Sequence, residues 1–175
     1  LARLVSRQVP FSMLLHGKIG PFFAVNIAQA ALMFAAGKTL VPWLGGESLA
    51  LPARWDLLAI VTACTSLSAI GWGLLVAVSS RTLEQATVVG GVGTILVAAV
   101  GGIMVPRFVM PESMQGLVDL SPMAWALEGF HAVMLRQGGA ADIVLPCVKL
   151  LVLATALLAL ALWIHQRRRV LSAAQ

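Results

Sequence analysis

The sequence predicts an all-α, multi-pass membrane protein: four transmembrane helices, with short re-entrant or interfacial outer helices between the third and fourth. Three observations predict it. Of 175 residues, 59% are hydrophobic and only 11% are charged, against about 25% charged in ordinary soluble domains. Mean hydropathy is +0.93. Four separate stretches each supply the roughly 20 apolar residues that a helix needs to cross a bilayer. So few charges cannot clothe a soluble core, because exposed apolar area is costly. A soluble globular domain, a disordered chain and a nucleic-acid binder are therefore excluded, despite a pI near 10.3.

The elements follow in order. Leu1 to His16 is amphipathic and basic, with Arg3 and Arg7 before Pro10 and Phe11. It is expected to lie at the cytoplasmic interface rather than to span. Leu1 in place of Met marks the chain as a fragment or a processed form, and no signal peptide is evident in the first 20 residues. Residues 17–175 form the transmembrane part. Its first span runs from Ile19 to about Leu44, with Pro21 expected in the harmless first turn. Asn26 and Gln29, three apart, share a face of it; amides in lipid bond other helices or line a polar path. Gly37-Lys38-Thr39 mimics the tail of a phosphate-binding loop, but Leu32 stands where that loop needs Gly, and a helix stands where it needs a strand.

The second span, Leu57 to Ser80, is uncharged. Its Thr62, Thr65, Ser66 and Ser68 bond another helix or line a polar path, and Ser and Thr can also bond their own backbone. The third, Gln85 to Pro106, carries Ala86, Gly90, Thr94, Ala98 and Gly102 at every fourth position, a small-residue face that admits a close neighbour. Gly101 and Gly102 with Pro106 let the helix end and bend. The fourth, about Ile143 to Ile164, has one internal charge, Lys149, near enough to an end to snorkel. Cys64 and Cys147 read as buried small hydrophobes, with neither metal nor disulfide spacing.

The outer connection, about 107–138, holds two helical patterns. Pro111 opens one, with Met114, Leu117 and Val118 on a face. Ser121-Pro122 is an N-cap followed by Pro at the first helical position. Met123, Leu127, Phe130 and Met134 then form its apolar stripe, and Gly138-Gly139 its stop. Glu128 and His131 lie three apart there. A local ion pair is the simpler reading, proton transfer the alternative.

Charge placement orients the chain. With residues 1–18 inside, seven basic residues stand inside against Glu84, and five stand outside against six acids. The cluster Arg167-Arg168-Arg169 is the clearest part of this bias. Both ends of the sequence are expected in the cytoplasm, in a multi-pass protein of the inner or plasma membrane.

Three stretches resemble the C-terminal half of the membrane subunit of ABC-2 type transporters. They are Leu4-Val5-Ser6-Arg7-Gln8-Val9-Pro10 with Leu14-Leu15-His16-Gly17-Lys18; Gly101-Gly102-Ile103-Met104-Val105-Pro106 with Met110-Pro111; and Ser121-Pro122-Met123-Ala124-Trp125 through Glu128-Gly129. Arg107 departs from the family's usual apolar residue. The resemblance implies an export permease subunit that is not itself an enzyme and holds no cofactor. A separate ABC ATPase subunit would bind ATP, and a second permease copy or half would complete the path by alternating access. It further implies coupling to the ATPase near Arg3, Arg7, Pro10 and Phe11. Gly101, Gly102, Pro106, Pro111 and Pro122 would shape an outer gate or re-entrant hinge. Asn26, Gln29, Glu128 and His131 remain candidates for a polar path or for interhelical contacts. Besides these partners only membrane lipid is expected, and no nucleic acid. A membrane-embedded enzyme, for which Glu128 and His131 come nearest to a catalytic pair, and a non-catalytic assembly or scaffold subunit are the rival readings.

Overall fold

A computed structural model describes residues 11–49, 52, 54–105 and 107–173 of the chain. It contains six helices: α1 (Phe11–Trp43), α2 (Trp55–Ser79), α3 (Leu83–Val100), α4 (Glu112–Val118), α5 (Pro122–Met134) and α6 (Ala140–Ala173), with a 3-10 turn at Arg107–Val109 before α4. No strand occurs among the described residues. Within them, Ile19–Trp43, Trp55–Ser79, Leu83–Val100 and Ala140–Arg167 are long and apolar enough to cross a membrane.

The first helix differs from expectation at its start. It begins at Phe11, so the end of the amphipathic segment runs into the span without a break, and Pro21 lies in the helix interior rather than in its first turn. Pro21 has no N–H for the carbonyl of Gly17, one turn before it. At the other end α1 closes in a Schellman motif: Gly45 adopts φ +85°, its N–H donates to Pro42 O (3.0 Å), and the Gly46 N–H donates to Val41 O (2.9 Å). Gly-Lys-Thr is ordinary helix here. Thr39 Oγ1 donates to Ala35 O, and Gly37 leaves room for Leu49, whose N–H donates back to the Gly37 carbonyl (3.2 Å).

Helices α2 and α6 form the centre. They run parallel: Gly71 of α2 faces Ala154 and Leu157 of α6, where a Cβ would stand 3.2 Å from Leu157 Cβ and 3.3 Å from Ala154 O. Nearer their starts, Leu57, Leu58, Val61 and Cys64 pack with Ile143, Cys147 and Leu150, and α5 adds Ala126, Ala132 and Val133. The Cys64 and Cys147 thiols are both buried and meet across this interface. Thr62 and Thr65 donate to Leu58 O and Val61 O, both at 2.8 Å, which leaves α2 free to pack without interhelical hydroxyl bonds from them.

α1 and α3 flank α2, antiparallel to it. The turn into α3 is capped as the T-x-x-Q pattern at Thr82 allows: Thr82 Oγ1 accepts from Gln85 N (3.1 Å), and Gln85 Oε1 accepts from Arg81 N (2.9 Å). The small-residue ladder of α3 is rotated from the expected one. Gly93 lies against the Trp72 ring, where a Cβ would come within 2.8 Å, and Gly90 faces Val76. Thr94 points out and donates to Gly90 O. A straight helix turns 3.6 residues per turn, so a strict four-residue ladder drifts off any one face. Along α3, Val88, Val89, Val92, Ile95 and Leu96 stay exposed.

Candidate functional site at the junction of the third span with helices α4 and α5

α3 stops at two glycines that do different things. Gly101 is excluded from carrying a side chain by space: a Cβ would lie 2.7 Å from Ser121 Oγ, 2.9 Å from Met123 Cβ and 2.9 Å from Val97 O. Gly102 is required by backbone, with φ +79°, while Ile103 N–H donates to Ala98 O (3.3 Å). The chain leaves α3 here and returns through the 3-10 turn and α4. Pro111 is the N-cap residue of α4, one position outside the helix. On α4 only part of the expected face is inward: Val118 is 4% exposed and Leu117 50%. Met110 just ahead of the helix is buried instead.

α5 begins as expected, with Ser121 at the N-cap and Pro122 in the first turn. The Ser121 hydroxyl, however, caps nothing in its own helix. It donates to Val97 O of α3 at 3.0 Å. That carbonyl also accepts from Gly101 N (2.8 Å). The buried face of α5 is Ala126, Gly129, Ala132 and Val133, while Met123, Leu127, Phe130 and Met134 are half-buried beside it. Small residues win the centre because α5 lies close on two helices. A Cβ at Gly129 would stand 3.0 Å from Val61 of α2 and 3.6 Å from Pro146 of α6. The stop also shifts. Gln137 (φ 47°), not a glycine, takes the left-handed conformation. Gly138 is crowded by Asp142 and by Ala132 O, and the Gly139 N–H donates to Asp142 Oδ2 (2.8 Å).

Arg107 and Asp119 clamp the segment with two parallel bonds, Nη1–Oδ1 at 3.0 Å and Nη2–Oδ2 at 3.2 Å. Trp125 Nε1 donates to the Asp119 carbonyl at 2.8 Å, and Lys149 Nζ of α6 lies 5.6 Å from the Trp125 ring centre. These groups and the two glycines wall a cavity of about 360 Å³, which Glu128, His131 and Arg136 also line.

The candidate residues thus divide. Gly101, Gly102 and Pro122 meet at the α3–α5 joint, and Pro111 starts α4 beside it. Glu128 and His131 face the cavity, and no ion pair joins them; both are exposed. Asn26 (half-buried) and Gln29 (exposed) sit on α1, away from this cavity, and form no hydrogen bond among the described residues. Arg3, Arg7, Pro10 and Pro106 lie outside the described residues, as does the side chain of Phe11. Sequence reasoning overlooked Asp119 and Trp125 and gave Lys149 no site role. A tryptophan four residues after a cap, and a lone lysine in an apolar helix, were the available signals.

The family model for the ABC-2 type transporter membrane domain matches residues 1–135. The chain belongs to the ABC-2 type transporter family. This ABC-2 chain is also 26% identical over 153 residues to the linearmycin resistance permease protein LnrN of Bacillus subtilis (strain 168); the match covers 87% of the chain and 38% of that relative. No solved structure matches the chain. Membership gives the geometry its context: in this ABC-2 family chain, helices α4 and α5 pack against the helices of membrane-spanning length.

Proposed function

We propose that this chain serves an export permease that works by alternating access, driven by a separate ABC ATPase subunit and completed by a second permease copy or half. The observation that carries the reading is the family match over residues 1–135, which includes both the basic segment and the α3–α5 joint. In this reading the end where α2 and α6 begin faces outward, and the basic ends of the chain face the cytoplasm in the inner or plasma membrane. Arg3, Arg7, Pro10 and Phe11 contact the ATPase. ATP-driven closure of the ATPases pushes α1, which continues from that segment. The joint at Gly101, Gly102 and Ser121 passes the tilt of α3 to α4 and α5, so the outer gate opens. Two packings of one joint make a two-state element, and ATP biases it only through its different interaction with the two states. Catalysis of ATP hydrolysis belongs to the partner.

The name of the Bacillus relative makes an antibiotic of the linearmycin kind the first substrate class to test. The experiment is transport into inside-out vesicles carrying the full-length permease with its co-encoded ATPase. Uptake that needs ATP and stops with a hydrolysis-dead ATPase supports the reading. Arg3→Glu with Arg7→Glu is expected to reduce ATPase co-purification and uptake together; if both stay intact, the coupling assignment fails.

A further inference from the structure

The cavity at the joint holds charge that the fold does not use. Three cations line it, Arg107, Arg136 and Lys149, and two carboxylates, Asp119 and Glu128. Asp119 has both oxygens engaged by Arg107. Among the described residues Arg136 and Lys149 have no carboxylate partner. Lys149 is the more telling of the two. It is half-buried, lies nine residues into a membrane-length helix, about 14 Å along its axis, and among the described residues is steadied by the Trp125 ring. A lysine without a counter-charge is uncommon in a helix of membrane-spanning length, and such groups mark sites where an ion or a polar ligand is met.

The lining selects the sign of the ligand. A cation would meet Glu128 alone, opposed by Arg136 and Lys149. An anion meets a guanidinium fork and an ammonium among the lining groups, with Glu128 as the opposing charge. Phosphate suits that pair, since arginine binds two of its oxygens at once and lysine binds as a point charge. Besides His131, the rest of the wall is largely apolar, from Val118, Ala124, Leu127 and the Trp125 ring, which suits the carbon body attached to a phosphate ester. We infer that this cavity binds the phosphate group of a membrane phospholipid, held by Lys149 and Arg136 with Trp125 orienting the lysine. Binding of this kind needs no ATP and no turnover, so it stands apart from the transport reading.

The test uses full-length permease, purified in detergent and read by native mass spectrometry. The probes are dioleoyl phosphatidylglycerol, dioleoyl glycerol with the same tails and no phosphate, and soluble glycerol 3-phosphate. Phosphatidylglycerol is expected to be retained and dioleoyl glycerol lost. Lys149→Gln and Arg136→Gln should each cut retention by roughly tenfold, the size of one charge-assisted bond. Lys149→Arg should keep most of it. Glu128→Gln should raise it about twofold to threefold by removing the opposing charge, a gain that misfolding cannot produce. If glycerol 3-phosphate binds with the same dependence on Lys149 and Arg136, the phosphate site stands and its ligand comes from solution. Equal retention by wild type, Lys149→Gln and Arg136→Gln, or equal retention of dioleoyl glycerol, overturns the inference.

Discussion

Ser121 Oγ donates to the Val97 carbonyl at 3.0 Å, tying the start of α5 to the last turn of α3. The bond passes directly over Gly101, whose missing side chain makes room for it. An order of severity follows. Ser121→Ala should cost roughly 0.5–1 kcal/mol, the net worth of such a bond. Gly102→Ala places a side chain on a left-handed backbone, at about 1–2 kcal/mol. Gly101→Ala must displace Ser121 and Met123, at about 1–3 kcal/mol, and breaks the Ser121–Val97 bond as well. Thermal unfolding in detergent should rank the three in that order, and Gly101→Ala should be the most damaging to transport.

The Arg107–Asp119 pair is well formed but exposed, with side chains 55% and 60% accessible. Exposed pairs contribute about 0–1 kcal/mol even when geometry is good. Arg107→Ala and Asp119→Ala should therefore each be mild, with a coupling below about 1 kcal/mol in a double-mutant cycle. High salt should shrink that coupling further. A coupling above about 2 kcal/mol would mean that the pair is buried in the working protein.

Cys64 and Cys147 meet between two parallel helices. A membrane-permeant oxidant, copper phenanthroline, should link them within one chain and change its mobility on a non-reducing gel. Cys64→Ser or Cys147→Ser should abolish the change. Absence of any link in wild type would contradict the α2–α6 register.

Two neighbouring glycines of α3 separate packing within the chain from packing outside it. Gly93→Leu must move the Trp72 ring, whereas a side chain at Gly91 meets open space. Gly93→Leu should lower the thermal midpoint, by the effect of about 1–3 kcal/mol. Gly91→Leu should leave the isolated chain as stable as wild type. Loss of transport in Gly91→Leu without loss of stability would place a partner on that face.

Much of this architecture was legible in the residues, and the reasons for the rest are specific. Long apolar runs mark membrane helices because lipid leaves no alternative for the backbone. Ser121-Pro122 marks a helix start for local reasons, and α5 starts there. Periodicity alone found part of the packed side of α5, since Phe130 and Met134 of its stripe lie against the core, but passed over its most buried residues. It weighs residues by hydrophobicity, yet Gly129 and Ala132 are buried because close approach to Val61 and Pro146 demands small side chains. The strict four-residue spacing set the α3 ladder one step off Gly93, because a helix turns every 3.6 residues. Pro21 fell in the helix interior because nothing in an apolar pattern shows how far upstream a helix extends. Arg107 with Asp119, and Lys149 with Trp125, were invisible as pairs. Each depends on how the segment between α3 and α6 folds back, which no local spacing encodes.

The parallel pairing of α2 and α6 has a consequence for biosynthesis. Parallel neighbours cannot be joined by a short turn, so α3, α4 and α5 must all be made before α6 can dock. Val61 reaches the lipid 86 residues ahead of Cys147, a lag of roughly 4–17 s at about 5–20 residues per second of translation. Throughout that interval α2 holds Leu57, Val61, Cys64 and Gly71 in the bilayer without the helix they pack against. A chain arrested before α6 thus leaves the α6-facing side of α2 uncovered, the kind of nascent product that insertion chaperones and membrane proteases are positioned to catch.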